Sequence, residues 1–253
     1  MLLRSLKEMI GYKISAKDGE IGKVNDFYFD DRKWVVRYLV DKTGFWLFGR
    51  QILISPSSFE KPNWSGEQFH VSLTIEQVEN SPPIDSQKPV SRENEDKIAK
   101  YYSWPNYWNG LGVPLGTAYA PPSQQPLIFK ETNRNISQDN ELKDEGLRST
   151  VEVTGYEVST IDGNLGYVED FIVDDESWLI RYMVLDTKKN LDGKKVLIAP
   201  EWINFISWNQ KKFSVNIPKE SIQKCPDFDV SLPISREYEE LLYNHYGCEK
   251  YWE

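Results

Sequence analysis

The stretch Asp18–Val40, DGEIGKVNDFYFDDRKWVVRYLV, returns as DGNLGYVEDFIVDDESWLIRYMV at Asp162–Val184. The two copies are 144 residues apart, and the same shift aligns Arg4–Trp108 with Arg148–Trp252 without a gap. Roughly a third of the paired positions are identical, far beyond what shared composition gives. They include Gly11/Gly155, Tyr12/Tyr156, Gly22/Gly166, Asp30/Asp174, Trp34/Trp178, Arg37/Arg181, Pro56/Pro200, Trp64/Trp208, Arg92/Arg236, Tyr107/Tyr251 and Trp108/Trp252. The chain is therefore one module written twice, and whatever the repeated aspartates do, they do twice.

Within a unit the local period is mostly two. Ile21, Val24 and Phe27 alternate with polar neighbours, and a slip near Asn25 suggests a bulge. Asp30-Asp31-Arg32-Lys33 reads as a hairpin turn, because Asp takes local backbone hydrogen bonds and tolerates turn dihedrals. WVVRYLV is the return strand. FGRQILISP and DGKKVLIAP give a further strand that stops at Pro56 or Pro200, where the ring removes a ladder donor. FHVSL and FSVNI are the last short strands, and LTIEQVEN and IPKESIQK follow as one or two helical turns.

From Val90 the period changes. SRENEDKIAKYY and SREYEELLYNHY each begin Ser-Arg-Glu, a helix N-terminus whose early carboxylates suit the positive end of the dipole. Each helix runs into an aromatic tail, SWPNYW or GCEKYW. Residues 109–147 have no counterpart, and their Gly/Pro-rich and then polar composition reads as a linker. The expected architecture is mainly β: two tandem small SH3-like barrels, 1–108 and 148–253, each followed by a short α-helix and an aromatic tail. A pseudo-twofold arrangement of the two would let each tail dock on its neighbour.

The opening of each unit, Gly11–Tyr38 and Gly155–Tyr182, resembles the PRC-barrel family in its ordered set of Gly-Tyr, Asp-Gly, Asp-Asp, Trp and Arg-Tyr. The resemblance covers roughly residues 4–80 and 148–224, plus the helical tails found in stand-alone tandem members. That family takes its name from the cytoplasmic domain of the photosynthetic reaction centre H subunit, and a related barrel closes a bacterial ribosome maturation factor. The resemblance implies a binding or assembly module with no catalytic residues to carry over. The H subunit's N-terminal membrane helix and the ribosome factor's separate N-terminal domain have no match here. Neither the photosynthetic nor the ribosomal role is transferred.

Composition narrows the chemistry. Net charge is −9, with Lys+Arg against Asp+Glu standing at 15 and 15 in residues 1–108, 3 and 5 in 109–147, and 12 and 19 in 148–253. No basic face of the kind that neutralises phosphates follows from this, and the small cluster Lys188, Lys189, Lys194 and Lys195 sits beside Asp186 and Asp192. Nucleic acid is not an expected partner. Apolar runs such as WVVRYLV are too short to span a bilayer, so membrane contact reduces to peripheral association with a membrane complex. Two cysteines, Cys225 and Cys248, fit a reduced, cytoplasmic setting.

Asp18, Asp26, Asp30 and Asp31 are hard oxygen ligands, but their spacing does not fit a calcium loop, and the turn reading is preferred. His245 and Cys248 lie three apart on a helix end, too few ligands for a zinc site. Arg37 and Arg181 sit mid-strand, as an anion site or, preferably, on a polar face or paired with Asp26 and Asp170. No nucleophile elbow or phosphate loop occurs, and GLGVPLG lacks the flanking strand and helix. No cofactor, metal or catalytic residue is expected.

The aromatic tails are the strongest functional candidates: Tyr102, Trp104, Tyr107 and Trp108, answered by Tyr251 and Trp252. They are either added core for barrels too small to stand alone or a hot-spot patch for a protein partner. The leading function is a non-catalytic protein-binding or scaffolding module, with association between copies left open. The alternatives are a ribosome- or RNA-associated assembly factor and, behind it, a metal-dependent enzyme using the repeated aspartates.

Overall fold

A computed structural model describes residues 1–42, 51–84, 90–106, 135–136, 146–187 and 193–253. The fold is mainly β, as the period of two requires. Unit 1 runs β1 (Leu3–Ser5), α1 (Leu6–Met9), β2 (Lys13–Ala16), β3 (Gly19–Lys23), β4 (Asp26–Asp30), β5 (Val35–Lys42), β6 (Gln51–Ile54), β7 (Gln68–His70), α2 (Ile75–Glu79) and α3 (Arg92–Tyr102). A two-residue strand, β8 (Asn135–Ile136), precedes unit 2. Unit 2 runs β9 (Leu147–Ser149), α4 (Thr150–Val153), β10 (Glu157–Thr160), β11 (Gly163–Asp174), β12 (Ile180–Asp186), β13 (Lys195–Ile198), β14 (Ile203–Ser207), β15 (Lys212–Val215), α5 (Lys219–Gln223) and α6 (Arg236–Tyr246).

The sheets are open among the described residues, where closed barrels had been expected. Unit 2 forms one continuous sheet, β13-β12-β11-β10-β15-β14-β8, with β1 added to β11. Unit 1 divides the same strands between β6-β5-β4-β9 and β3-β2-β7. The division falls at Val24–Asn25, where the slip in alternation lies. Unit 2 answers it with a register shift between Val168 and Asp170 inside the unbroken β11. One break in the period of two thus gives a strand break in one copy and a bulge in the other.

The Asp30 turn forms as read. Its carboxylate accepts the N–H groups of Arg32 at 2.9 Å and Lys33 at 3.2 Å, and Asp174 does the same for Glu176 and Ser177. Each turn ends in a tryptophan in the left-handed region, Trp34 at φ 55° and Trp178 at φ 59°. That conformation is costly for a bulky side chain and persists only where the surroundings over-determine it. Asp18 and Asp162 accept the first N–H of α2 and α5, from Ile75 at 2.8 Å and Lys219 at 2.9 Å. Both long helices begin at serine caps, Ser91 and Ser235, and end in left-handed residues, Ser103 and Gly247, that turn the chain back on itself.

Sequence periodicity gave no hint of β1 and β9, and these two strands set the architecture. β1 of unit 1 pairs with β11 of unit 2, Leu3 opposite Asp174 and Ser5 opposite Ile172. β9 of unit 2 pairs with β4 of unit 1, Leu147 opposite Asp30 and Ser149 opposite Tyr28. Each unit lends its first strand to the other. The equivalent residues Val35 and Leu179 bridge each other, with Val36 N–H on the Trp178 carbonyl at 2.9 Å and Ile180 N–H on the Trp34 carbonyl at 2.7 Å. Equivalent residues meeting face to face mark a local twofold axis.

Candidate binding surfaces and the seam between the units

The repeated polar residues converge on this seam. Asp26 accepts from Ser149 Oγ at 2.5 Å, Thr150 Oγ1 at 3.0 Å and Val151 N–H at 3.2 Å, capping α4 of the other unit. Asp170 repeats the arrangement with Ser5 Oγ at 2.5 Å and Lys7 N–H at 2.9 Å. Burial pushes both carboxyls above the ordinary aspartate range, although the hydrogen bonds they accept oppose the rise. Arg4 reaches Asp175 at 3.1 Å while its guanidinium lies 3.8 Å from the centre of the Trp64 ring. Arg148 reaches Asp31 at 3.0 Å and lies 4.2 Å from Trp208. Every one of these ion pairs and caps joins one unit to the other.

The tryptophans cross as well. Trp34 leaves unit 1 to lie 6.2 Å from Phe213, and Trp178 lies 6.1 Å from Phe69 and 5.1 Å from Phe59. Both are buried, at 1% and 4% exposure, within a single apolar cluster that runs through both units. The strained turn at each tryptophan is therefore held by the neighbour's core.

Arg37 and Arg181 correct the expectation drawn for them. Neither pairs with Asp26 or Asp170. Arg37 is buried and ion-paired to Asp30 at 3.2 Å, and Arg181 to Asp174 at 3.2 Å, so they tie the hairpin turn to its own return strand. Asp174 is drawn upward by burial, but the Glu176 and Ser177 N–H groups and the Arg181 charge outweigh this and hold it below its ordinary value. Asp26 and Asp170 are already occupied by the opposite unit's cap.

The described parts of the tails dock on their own units, where each had been expected to reach its neighbour. In unit 1 the Trp104 indole N–H donates to Ser58 Oγ at 2.7 Å, and its ring stacks on Tyr102 at 4.3 Å and approaches Tyr38. In unit 2 the Tyr251 hydroxyl donates to Glu239 Oε1 at 2.8 Å, the atom that also accepts from Tyr182 at 2.7 Å. Arg236 closes the other carboxylate oxygen at 2.9 Å. Trp252 lies edge-on to Tyr243 at 5.0 Å, under the Arg236 guanidinium at 4.2 Å. The left-handed cap after each helix reverses the chain onto that helix, which keeps the tail local. Tyr102, Trp104, Tyr251 and Trp252 are all half-buried. Tyr107 and Trp108 lie outside the described residues.

The remaining candidates have structural partners. His245 Nε2 lies 2.8 Å from the Ser221 carbonyl, Cys248 packs against the core of unit 2, and Cys225 is buried. Among the described residues no group of three or more His, Cys, Asp or Glu is disposed to hold a metal ion. Lys194 and Lys195 pair with Asp227 and Asp186, while Lys188 and Lys189 lie outside the described residues. No described helix is long and apolar enough to cross a membrane.

No curated protein matches the chain. Residues 146–222 do match a family model, and they run from the strand lent to unit 1, through the bulged β11 and the Asp174 turn, almost to the end of α5. The model matched over residues 146–222 is that of the PRC-barrel domain.

Proposed function

We propose that the chain is a non-catalytic protein-binding or assembly module, in which two interlocked units form one rigid body that presents aromatic tails to a partner. The carboxylates common to both units, which would be the reactive groups of a hydrolase or metal enzyme, are engaged in holding turns, helix caps and the seam. That observation carries the reading. The PRC-barrel match supports it at the level of the domain. Tyr102 and Trp104 stack on each other in unit 1, and in unit 2 Tyr251 and Trp252 lie beside Arg236, a mix of fixed aromatic and arginine groups of the kind that makes interface hot spots.

Affinity capture from native lysate tests this, comparing the natural chain with Tyr102→Ala/Trp104→Ala and with Trp252→Ala. Circular dichroism checks that each variant is folded. Loss of a saturable protein partner from a folded variant supports the reading. Unchanged capture by folded variants sends the partner surface elsewhere, and retention of nothing beyond the control contradicts the binding role.

A further inference from the structure

The two units differ at one sheet edge. In unit 2, β14 pairs antiparallel with β15, and its outer edge carries β8, a piece of the segment between the units. The pairing is parallel, Phe205 opposite Asn135 and Ile206 opposite Ile136. Phe205 is 36% exposed on this edge, while Ile206 beside it is buried. In unit 1 the residues at the same positions are Lys61 and Pro62. There, among the described residues, the sheet ends at β7, and the segment beyond it meets β7 at the isolated bridges Phe59–Val71 and Asn63–Gln68. Proline has no N–H to offer a further strand, and an edge lysine cannot be buried under one. Both are common protections of a sheet edge. Unit 2 has neither, and a strand sits there.

We propose that the β14 edge is a strand-addition site for an extended polypeptide, and that Asn135–Ile136 of this chain is its resident occupant. Affinity at such a site comes from main-chain hydrogen bonds, and selectivity from the alternate side chains that meet the sheet face. An incoming peptide must displace Asn135–Ile136, a competitor in the same chain, so binding in trans is suppressed while that pairing holds. This assigns a partner class to the binding role proposed above, on a different surface.

The test uses the full chain with Asn135→Pro/Ile136→Pro, and a synthetic peptide of residues 131–140, ETNRNISQDN. Residue-resolved amide exchange is expected to rise at least about tenfold at the β14 amides that do not face β15, with β10 and β15 unchanged. The peptide is expected to bind this variant at least about ten times more tightly than the natural chain and to restore the lost protection, while a scrambled peptide does neither. Phe205→Lys/Ile206→Pro, which copies unit 1, is expected to abolish binding in the double-proline background; if it does not fold, Phe205→Lys alone is expected to weaken it. Unchanged exchange at β14, absence of peptide binding, or equal binding to the natural and double-proline chains each overturns the inference. Tail-dependent capture of a partner without peptide binding defeats this inference alone, and the converse result defeats the tail reading alone.

Discussion

Asp41 is a charge where its counterpart has a hydrocarbon: the position is Leu185 in unit 2, and both side chains are buried. Its carboxylate lies against the bare Cα of Gly22, where any Cβ would collide with it. Oδ1 receives a long hydrogen bond of 3.4 Å from Lys23 N–H, and Oδ2 has no hydrogen-bond partner among the described residues. Burial therefore raises the Asp41 carboxyl from 3.8 to about 6, with the Lys23 N–H opposing. A raised folded value means that the native state holds the proton more tightly than the unfolded chain. The contribution of Asp41 to stability is thus most favourable below about pH 4 and is lost as pH rises through about 6. At about 1.4 kcal/mol per unit, the rise amounts to about 3 kcal/mol. Asp41→Asn keeps the shape and removes the titration. Urea unfolding of both proteins at pH 4.5, 6 and 7.5 is expected to show the variant gaining on the natural chain by about 2 kcal/mol between the first and last pH. Asp26 and Asp170 shift in the same direction but are common to both proteins, so the difference isolates Asp41. A difference between the two proteins that is the same at all three pH values would refute the reasoning.

Trp34→Ala should cost about 3–5 kcal/mol, with increased amide exchange appearing in unit 2 around Phe213 as well as in the turn that bears the residue. Exchange confined to unit 1 would contradict the crossing of the tryptophans. Asp26→Ala and Ser149→Ala are each expected to destabilise by about 1–3 kcal/mol, and the double variant by less than their sum, since both remove one contact across the seam. Strict additivity in urea titrations would mean that the contact does not matter. Tyr251→Phe removes one of the donors on the buried Glu239 and should cost about 1–2 kcal/mol in thermal unfolding, with the circular dichroism spectrum unchanged.

Local pattern carried the turns, the caps and the bulge, because each is decided by residues a few positions apart. The Asp30 turn, the Ser91 and Ser235 caps and the slip at Asn25 all belong to that class. The seam does not. Ser149 and Asp26 are separated by 123 residues, and a buried tryptophan has the same sequence signature whichever core receives it. Arg37 was assigned the wrong aspartate for the same reason: Asp26 and Asp30 both lie on the neighbouring strand, and only the seam shows that the first is already taken. A signal was present nonetheless. Arg4/Arg148, Ser5/Ser149, Asp26/Asp170 and Asp31/Asp175 are identical between the copies, while exposed neighbours such as Arg32 and Glu176 differ. A duplicated chain constrains such partners twice. Departures from the repeat were equally readable in hindsight: Asp41 against Leu185 and Pro62 against Ile206 are where the units stop being interchangeable.

The central claim is that the two units are one folded body, each completed by the other's first strand and tryptophan. The most direct measurement introduces a specific protease site into the 109–147 segment of the full chain, cuts it, and follows the product by size-exclusion chromatography with light scattering. The two pieces are predicted to remain together at the mass of the intact chain and to unfold in a single transition. Separation into two folded species of about half that mass would contradict the account.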